Sequence, residues 1–312
     1  MIKLTPLIRI QTLTLVGKYQ QTLYEKTLCQ HRYDIMVSGK ALENRLDYYN
    51  ANEMIISDVR ECITAGHSPW FHITLEALHM HISLALATYN GEKYITEQLN
   101  SILPQLTPED EIIISDDGST DRTLEIIANF CCAQIHVYTN PKKGIISNFE
   151  NAICHASGDI IILCDQDDVW CPNKVAIIKK YFAESDTKLI VSDAYVTDEN
   201  LNIIEPSFSK FMNSGGGFAK NFIKNSFLGC CMAFRKELKD IILPFPNKIP
   251  MHDSWIGLLA ELNGKVLFIP EKLIYYRRHE ANATVLKRDS LWRSIMWRKN
   301  LAVELIKRHI AK

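Results

Sequence analysis

The sequence predicts an α/β protein built on a mostly parallel β-sheet. From His81 onward, short continuous apolar runs alternate with segments in which apolar residues recur at helical spacing. Strands and helices that alternate in this way imply right-handed crossovers between parallel strands. Ligands of such sheets bind beyond the carboxyl ends of the strands, and three of these ends are rich in polar and acidic residues. We therefore expect one ligand site along one edge of the sheet.

The predicted elements follow one another closely along the chain. Each strand is a nearly uninterrupted apolar run, as expected of parallel strands that are covered on both faces. The predicted strands are Ile82–Ala87, Ile112–Ile114, Ile135–Tyr138, Ile160–Cys164 and Leu189–Ser192. The predicted helices contain Ile95–Ile102 (ending at Pro104), Leu124–Ala128, Phe149–His155 and a segment that begins near Pro172, where proline suits a first turn.

Composition excludes several classes of protein. The chain has 312 residues and a net charge of −1, which excludes a uniformly basic nucleic-acid-binding surface. It contains no uninterrupted apolar run of the length that a membrane-spanning helix needs. The nine cysteines include no C-x-x-C pair, which argues against a zinc site and against a disulfide framework. This cysteine usage favours a reducing compartment, so we expect a cytoplasmic protein.

The length suggests about two domains, at about 150 residues each. Residues 1–79 lack the strand–helix alternation, and Met80 stands directly before the first predicted strand. We therefore consider two possibilities for residues 1–79: a helical accessory extension, or a segment outside a native protein that starts at Met80.

The first acidic cluster, Asp165-x-Asp167-Asp168, directly follows a predicted strand. In an extended segment Asp165 and Asp167 point the same way, and paired carboxylates suit a hard divalent cation such as Mg²⁺ or Mn²⁺. A solvated turn or a helix cap would use the same residues, so the cluster by itself leaves both readings open.

The second acidic cluster is Asp116–Asp121, which follows another predicted strand. Gly118 permits a tight turn, and an Asp at the strand end could accept a hydrogen bond from a nucleobase N–H. A strand–turn–helix connection with capping acids would look the same. Neither a G-x-G-x-x-G sequence nor a P-loop is present, which excludes the usual dinucleotide dehydrogenases and P-loop NTPases. What remains is a nucleotide held by carboxylates and a metal.

Four sequence blocks together resemble glycosyltransferase family 2, in the form seen among bacterial rhamnosyltransferase-like members. The blocks are Thr88–Ile95, Ser115–Asp121, Asn140–Ala152 and Asp165–Trp170, and the resemblance extends over Met80–Asn282. It implies a GT-A fold, a Rossmann-like αβα sandwich that would occupy residues 80–282. It also implies inverting, metal-dependent transfer of a sugar from a UDP- or dTDP-sugar to a glycan or lipid-linked glycan in surface polysaccharide biosynthesis.

The resemblance also assigns roles to individual residues. Asp253, at the start of an apolar helical stretch, falls where the family has its catalytic base. Asp167 and His279 would bind Mg²⁺ or Mn²⁺. Asp116 would accept from the base N3–H, Asp165 would contact the ribose or donor sugar, and either Arg277 or Arg278 could neutralise the leaving diphosphate. The residues expected to bind the nucleotide sugar are Thr88, Tyr89, Glu92, Asp116, Asp117, Ser119, Asn148, Asp165, Gly229 and Arg278.

The C-terminal segment, residues 283–312, is predicted to be a basic amphipathic helix. Residues 287–312 carry a net charge of +6 and include Trp292, Ile295 and Met296. Such a helix could make peripheral contact with the inner face of the plasma membrane. Alternatively it packs on the core and leaves a solvated basic face. For the whole chain, the competing functions are a sugar nucleotidyltransferase and a non-catalytic, glycan-binding GT-A-like protein.

Overall fold

A computed structural model of the chain describes residues 79–279 and 291–310. The chain divides into two compact units, Met1–Phe71 and His72–Lys312, and all described residues belong to the second. The predictions for residues 1–78 and for the domain boundary at 282/283 therefore fall outside the described residues.

The described strands and helices follow the predicted alternation, and the α/β prediction is confirmed. The strands are β1 (Ile82–Thr88), β2 (Glu111–Asp116), β3 (Ile135–Thr139), β4 (Ile160–Asp165), β5 (Val169–Trp170), β6 (Leu189–Thr197), β7 (Ile203–Glu205), β8 (Met232–Arg235) and β9 (Val266–Arg277). The helices are α1 (Ile95–Ile102), α2 (Thr123–Asn129), α3 (Ile145–His155), α4 (Lys174–Ala183), α5 (Phe208–Met212), α6 (Phe218–Ile223), α7 (Lys239–Ile242), α8 (His252–Asn263) and α9 (Leu291–Ile310).

These strands form one sheet in the order β3-β2-β1-β4-β8-β6-β9-β5, with β7 added beside β6. The first part is parallel, because β1 pairs in parallel with both β2 and β4, and β2 with β3. The second part is mixed: β8 runs antiparallel to both of its neighbours, whereas β6 and β9 are parallel. The parallel part brings the ends of β1, β2 and β4 to one edge, as the sequence predicts.

The apolar periodicity of each segment accounts for its packing. Every residue of β1 is buried, and α1 turns its stripe of Ile95, Leu99 and Ile102 into the core. One boundary differs from the prediction: α4 begins at Lys174, because Asn173 adopts a left-handed conformation with φ of +66°. Pro172 therefore precedes the helix and is not part of its first turn.

Helix α9 packs against the body of the protein. Leu301 and Leu305 are only 4% and 5% exposed. The Arg308 guanidinium donates hydrogen bonds to the carbonyl oxygens of Ile241 and Leu243. Of the two possibilities for the C-terminal segment, packing on the core is therefore present in the structure. Within the described part of the chain, no helix is both long enough and apolar enough to cross a bilayer.

Candidate active site

The side chain of Gln166 joins the carboxyl ends of β1 and β4. Its Oε1 accepts hydrogen bonds from Thr88 Oγ1 at 2.6 Å and from the Tyr89 backbone N–H at 2.9 Å. Its Nε2 donates to the Tyr89 carbonyl at 3.0 Å. Gly91 lies against the same amide, since a Cβ there would stand 2.2 Å from Gln166 Oε1. Sequence reasoning missed Gln166, whose only signal was its place between two acidic residues.

The carboxylate of Asp116 is used largely within its own turn. Its Oδ2 accepts from the backbone N–H groups of Gly118 and Ser119, at 2.9 and 2.8 Å. Its Oδ1 accepts from Ser119 Oγ at 2.5 Å. A carboxylate has about four acceptor positions, so one remains for a donor such as a nucleobase N–H. Gly118 has a φ of +83°, a conformation that favours glycine and makes this turn possible.

Asp117 and Asn148 fix the neighbouring segments. Asp117 Oδ1 accepts from Asn140 Nδ2 at 2.7 Å, and Oδ2 accepts from the Gly144 N–H at 3.0 Å. Asn148 is 1% exposed and donates to the Thr88 carbonyl at 3.0 Å, whereas its Oδ1 is buried with no hydrogen-bond partner. Asn148 thus holds the β1 end in place and keeps an acceptor available, whereas the Asp117 side chain holds the segment between β3 and α3.

Two of the expected nucleotide-binding residues lie at the surface. Tyr89 is 52% exposed and can offer its ring to a ligand. Glu92 is exposed, and its carboxylate accepts from the Arg122 N–H at 3.0 Å, at the start of α2. Ser119 is tied to the same loop because its Oγ accepts from the Asn90 N–H at 2.9 Å. Glu92 therefore contributes to the shape of the loop between β1 and α1.

A cluster of potential metal ligands lies at the β4 end, with Asp168 and Cys230 buried and Asp165 partly buried. One ligand atom from each of Asp165, Asp168 and Cys230 lies within 4.8 Å of the others. Asp168 is fully buried; its Oδ1 accepts from the Arg277 N–H at 3.0 Å, and its Oδ2 has no hydrogen-bond partner. Burial raises the pKa of Asp165 to about 7, and the negative charges of Asp167 and Asp253 contribute to the increase. Burial also raises the pKa of Asp168, and the negative charges of Asp167 and Asp165 contribute to that increase. Carboxylates that are buried close to one another favour a bound cation, because the cation compensates their charge.

The two expected metal ligands lie side by side. His279 Nε2 and Asp167 Oδ2 are 2.8 Å apart, and the imidazole stacks on Tyr94 with ring centroids 4.8 Å apart. Neither residue belongs to the group formed by Asp165, Asp168 and Cys230, and sequence reasoning did not propose Asp168 or Cys230 as metal ligands. Asp168 stood in the quoted motif, whereas the proximity of Cys230 depends on the turn before β8.

Asp253, the expected base, lies in the first turn of α8. Its Oδ1 accepts from the Ser254 N–H at 2.5 Å and from Asn225 Nδ2 at 3.2 Å. Burial raises its pKa to about 7, against an ordinary value of 3.8. Its charge contributes to the raised pKa of Asp165. Asp253 therefore lies close enough to Asp165 for its charge to act on that carboxyl group, and its role as a base stays a prediction.

Gly229 and Arg278, the remaining two residues expected to bind the nucleotide sugar, contact other residues of the protein. Gly229 is buried against His252, since a Cβ there would lie 2.8 Å from His252 Nε2. Arg278 Nη1 donates to Tyr276 Oη at 3.1 Å. Arg277 is the arginine that contacts the acidic motif, because its Nε donates to the Asp167 carbonyl at 2.8 Å. Arg277 is also 4% exposed and forms an ion pair with Glu97.

This chain belongs to glycosyl transferase family 2, whose family model matches residues 83–242, just over half of the sequence. The predicted family membership is thereby confirmed. The β1, β2 and β4 ends described above, with Thr88, Asp116 and Asp165, all lie within the matched range.

Particular relatives agree with this assignment. The dTDP-rhamnosyl transferase RfbG of Shigella flexneri is 30% identical over 215 residues, covering 63% of this chain and 72% of the relative. The Escherichia coli UDP-Glc:alpha-D-GlcNAc-diphosphoundecaprenol beta-1,3-glucosyltransferase WfgD is 25% identical over 185 residues, covering 58% and 71%. The chain spans about two thirds of the length of the curated relatives it matches.

A solved structure is similar in fold. The S. aureus TarS fragment in complex with UDP-GlcNAc superimposes with a TM-score of 0.55 at 21% identity, covering 74% of this chain and 73% of the solved chain. The GT-A fold expected from the sequence is confirmed.

Proposed function

We propose that this protein transfers a sugar from a UDP- or dTDP-sugar to a glycan or lipid-linked glycan, with inversion at the anomeric carbon and with a divalent cation. The observation that carries the proposal is the cluster of Asp165, Asp168 and Cys230 at the β4 end, together with Asp253, whose charge acts on the pKa of Asp165. A carboxylate cluster with a possible base near it suits a single displacement.

The residues around the acidic cluster fit a divalent cation. Asp168 Oδ2 is buried without a hydrogen-bond partner, an arrangement that costs free energy unless a cation compensates it. Asp165 and Asp168 supply hard oxygen ligands of the kind that Mg²⁺ and Mn²⁺ prefer, and we infer that Asp167 and His279, which are 2.8 Å apart, also contribute. When bound, the cation would neutralise the diphosphate leaving group.

Asp253 is suited to act as the general base. Both of its hydrogen bonds go to Oδ1, which leaves Oδ2 for the acceptor hydroxyl. As that hydroxyl attacks, Oδ2 takes its proton, and the bond to the diphosphate breaks on the opposite face of the sugar. A base with a pKa of about 7 suits this task near neutral pH, because it is ionised there and still binds a proton well.

The relatives' names support the choice of donor and acceptor classes. RfbG is named for a dTDP donor, and TarS is solved with UDP-GlcNAc. WfgD is named for a sugar acceptor carried on a lipid diphosphate. We infer a pyrimidine nucleotide sugar as donor and a lipid-linked glycan as acceptor, used on the cytoplasmic side of a membrane.

The test is a donor panel. The protein is incubated with UDP- and dTDP-sugars, with and without Mn²⁺, and nucleoside diphosphate release and the anomeric configuration of the product are measured. Asp253→Asn should abolish transfer and leave donor binding intact, whereas Asp240→Asn, an acid on α7 outside the site, serves as the matched control. Unchanged turnover in Asp253→Asn, or a product with retained configuration, would contradict the mechanism. Pyrophosphate release from a nucleoside triphosphate and a sugar phosphate would instead indicate a sugar nucleotidyltransferase.

A further inference from the structure

Helix α9 carries apolar residues on two opposite faces. The inner face buries Leu301 and Leu305 against the body of the protein. On the opposite side, five large apolar residues are exposed between 41% and 77%, and we call them the outer stripe. The outer stripe consists of Ile295, Met296, Val303, Ile306 and Ile310.

The outer stripe runs along one side of the helix. At 3.6 residues per turn, its five members fall within an arc of about 100° on the helix surface. Single exposed apolar residues are ordinary, but a row of them along a 20-residue helix marks an interaction surface. The inner face already satisfies the packing of α9, so the outer stripe is not needed to hold the helix in place.

The charges of this face are mostly positive. Lys299 lies exposed within the arc of the outer stripe, and Lys307 lies exposed at its edge. The acid of the described helix, Glu304, pairs with Lys307 at 2.8 Å. Basic side chains within an apolar stripe suit a surface that is apolar inside and anionic outside, as an acidic lipid bilayer is.

The surface extends onto the acceptor side of the candidate active site. Arg298 Nε donates to the Ile223 carbonyl at 3.1 Å, which ties α9 to the end of α6. Ile223 is 63% exposed, and beside it Lys220 and Lys224 line a cavity of about 230 Å³. Asn225, two residues after Ile223, donates a hydrogen bond to Asp253. The outer stripe and the candidate base are thus linked through one short segment.

We propose that the outer stripe of α9, together with the end of α6, docks onto an anionic lipid bilayer. The apolar side chains enter the headgroup region, and Lys299, Lys307 and Lys224 reach the lipid phosphates. A second copy of this chain is a poorer occupant, because an isologous contact would bring the Lys299 ammonium groups of both copies into one apolar interface. Docking itself does not depend on the proposed sugar transfer, although it would bring the acceptor side of the site to the membrane.

The test is flotation of the full-length protein with vesicles of phosphatidylcholine, alone or mixed with phosphatidylglycerol, in the absence of donor and acceptor. We expect salt-sensitive binding to the mixed vesicles. The double substitution Ile306→Gln with Ile310→Gln should lower the partition coefficient by about tenfold or more, since two apolar side chains no longer gain from burial. Lys299→Gln should weaken the preference for phosphatidylglycerol.

The matched control is Ile203→Gln with Ile204→Gln on β7, where the exposed fractions of 51% and 55% resemble the 58% of Ile306. The control should float as the wild type does. Thermal unfolding checks that every variant is folded, and donor hydrolysis in solution is measured separately, so a failed docking proposal is distinguished from a failed function. The proposal would be overturned if the wild-type protein did not bind anionic vesicles, or if the stripe variant bound them with the same partition coefficient as the wild type. A wild-type dimer that the stripe substitution dissociates would also overturn it, because a second copy would then cover the surface.

Discussion

The raised pKa of Asp253 predicts a steep loss of activity in mildly acidic solution. An Asp must be ionised to accept the acceptor's proton, and burial holds the pKa of this group at about 7 against an ordinary value of 3.8. Because the folded-state pKa is raised, protonation begins close to neutral pH. The rate should therefore fall as the pH drops through 7.

The size of the loss follows from the ionised fraction. With a pKa of 7, that fraction is about 0.76 at pH 7.5 and about 0.03 at pH 5.5, so the rate should fall about 25-fold. An Asp with an ordinary pKa would stay about 98% ionised at pH 5.5 and would produce almost no change. The two cases differ enough for a simple rate measurement to separate them.

The assay is nucleoside diphosphate release at saturating donor and Mn²⁺, so that kcat reports the step in which Asp253 acts. Asn225→Ala provides a second perturbation. Asn225 donates a hydrogen bond that lowers the pKa of Asp253, so its loss should move the acid limb to higher pH. A kcat that stays constant between pH 7.5 and 5.5, with donor still saturating, would refute the reasoning.

Three further predictions concern the site and its support. Gly91→Ala would place a Cβ 2.2 Å from Gln166 Oε1, so the β1–β4 connection must shift; we expect the donor KM to rise about tenfold with little change in Tm. Leu305→Ala should lower the free energy of unfolding by about 2–5 kcal/mol in urea titrations, because α9 buries this side chain against the body of the protein; a value near zero would mean that α9 does not pack as described. Mn²⁺ should raise Tm at pH 7.5 and less at pH 6, since protons compete for Asp165, and His279→Ala should weaken Mn²⁺ affinity by about tenfold or more in calorimetry.

Sequence reasoning was most successful where it depended on the parallel sheet. The apolar runs located β1, β2 and β4, and a parallel arrangement requires their carboxyl ends to meet at one edge. For this reason the sequence alone predicts that Thr88, Asp116 and Asp165 lie together. The position of Asp253 came from the resemblance to the family, because nothing in the local pattern distinguishes a base from a helix cap.

The remaining features depend on contacts between distant segments. No local pattern predicts that Gln166 bonds to the end of β1, because that contact depends on the pairing of β1 with β4. The proximity of Cys230 and Asp168 depends on the path of the chain between β4 and β8. Two adjacent arginines look alike in the sequence, yet Arg277 is buried against the acidic motif and Arg278 bonds to Tyr276. The sequence also does not distinguish the two apolar faces of α9. Leu305 and Ile306 are adjacent and both apolar, and it is the packing of the helix that leaves Leu305 buried and Ile306 exposed.

The turn built by Asp116 has a consequence for how such sequences are compared. Three hydrogen bonds from Gly118 and Ser119 stabilise this carboxylate whether or not a nucleotide ever binds. Natural selection for foldability alone would therefore preserve the Asp-Asp-Gly-Ser signature in a descendant that had lost its chemistry. Under the mechanism proposed above, Asp253 is the more informative position in a search for inactive members of the family, because burial raises its pKa and so disfavours its charged form.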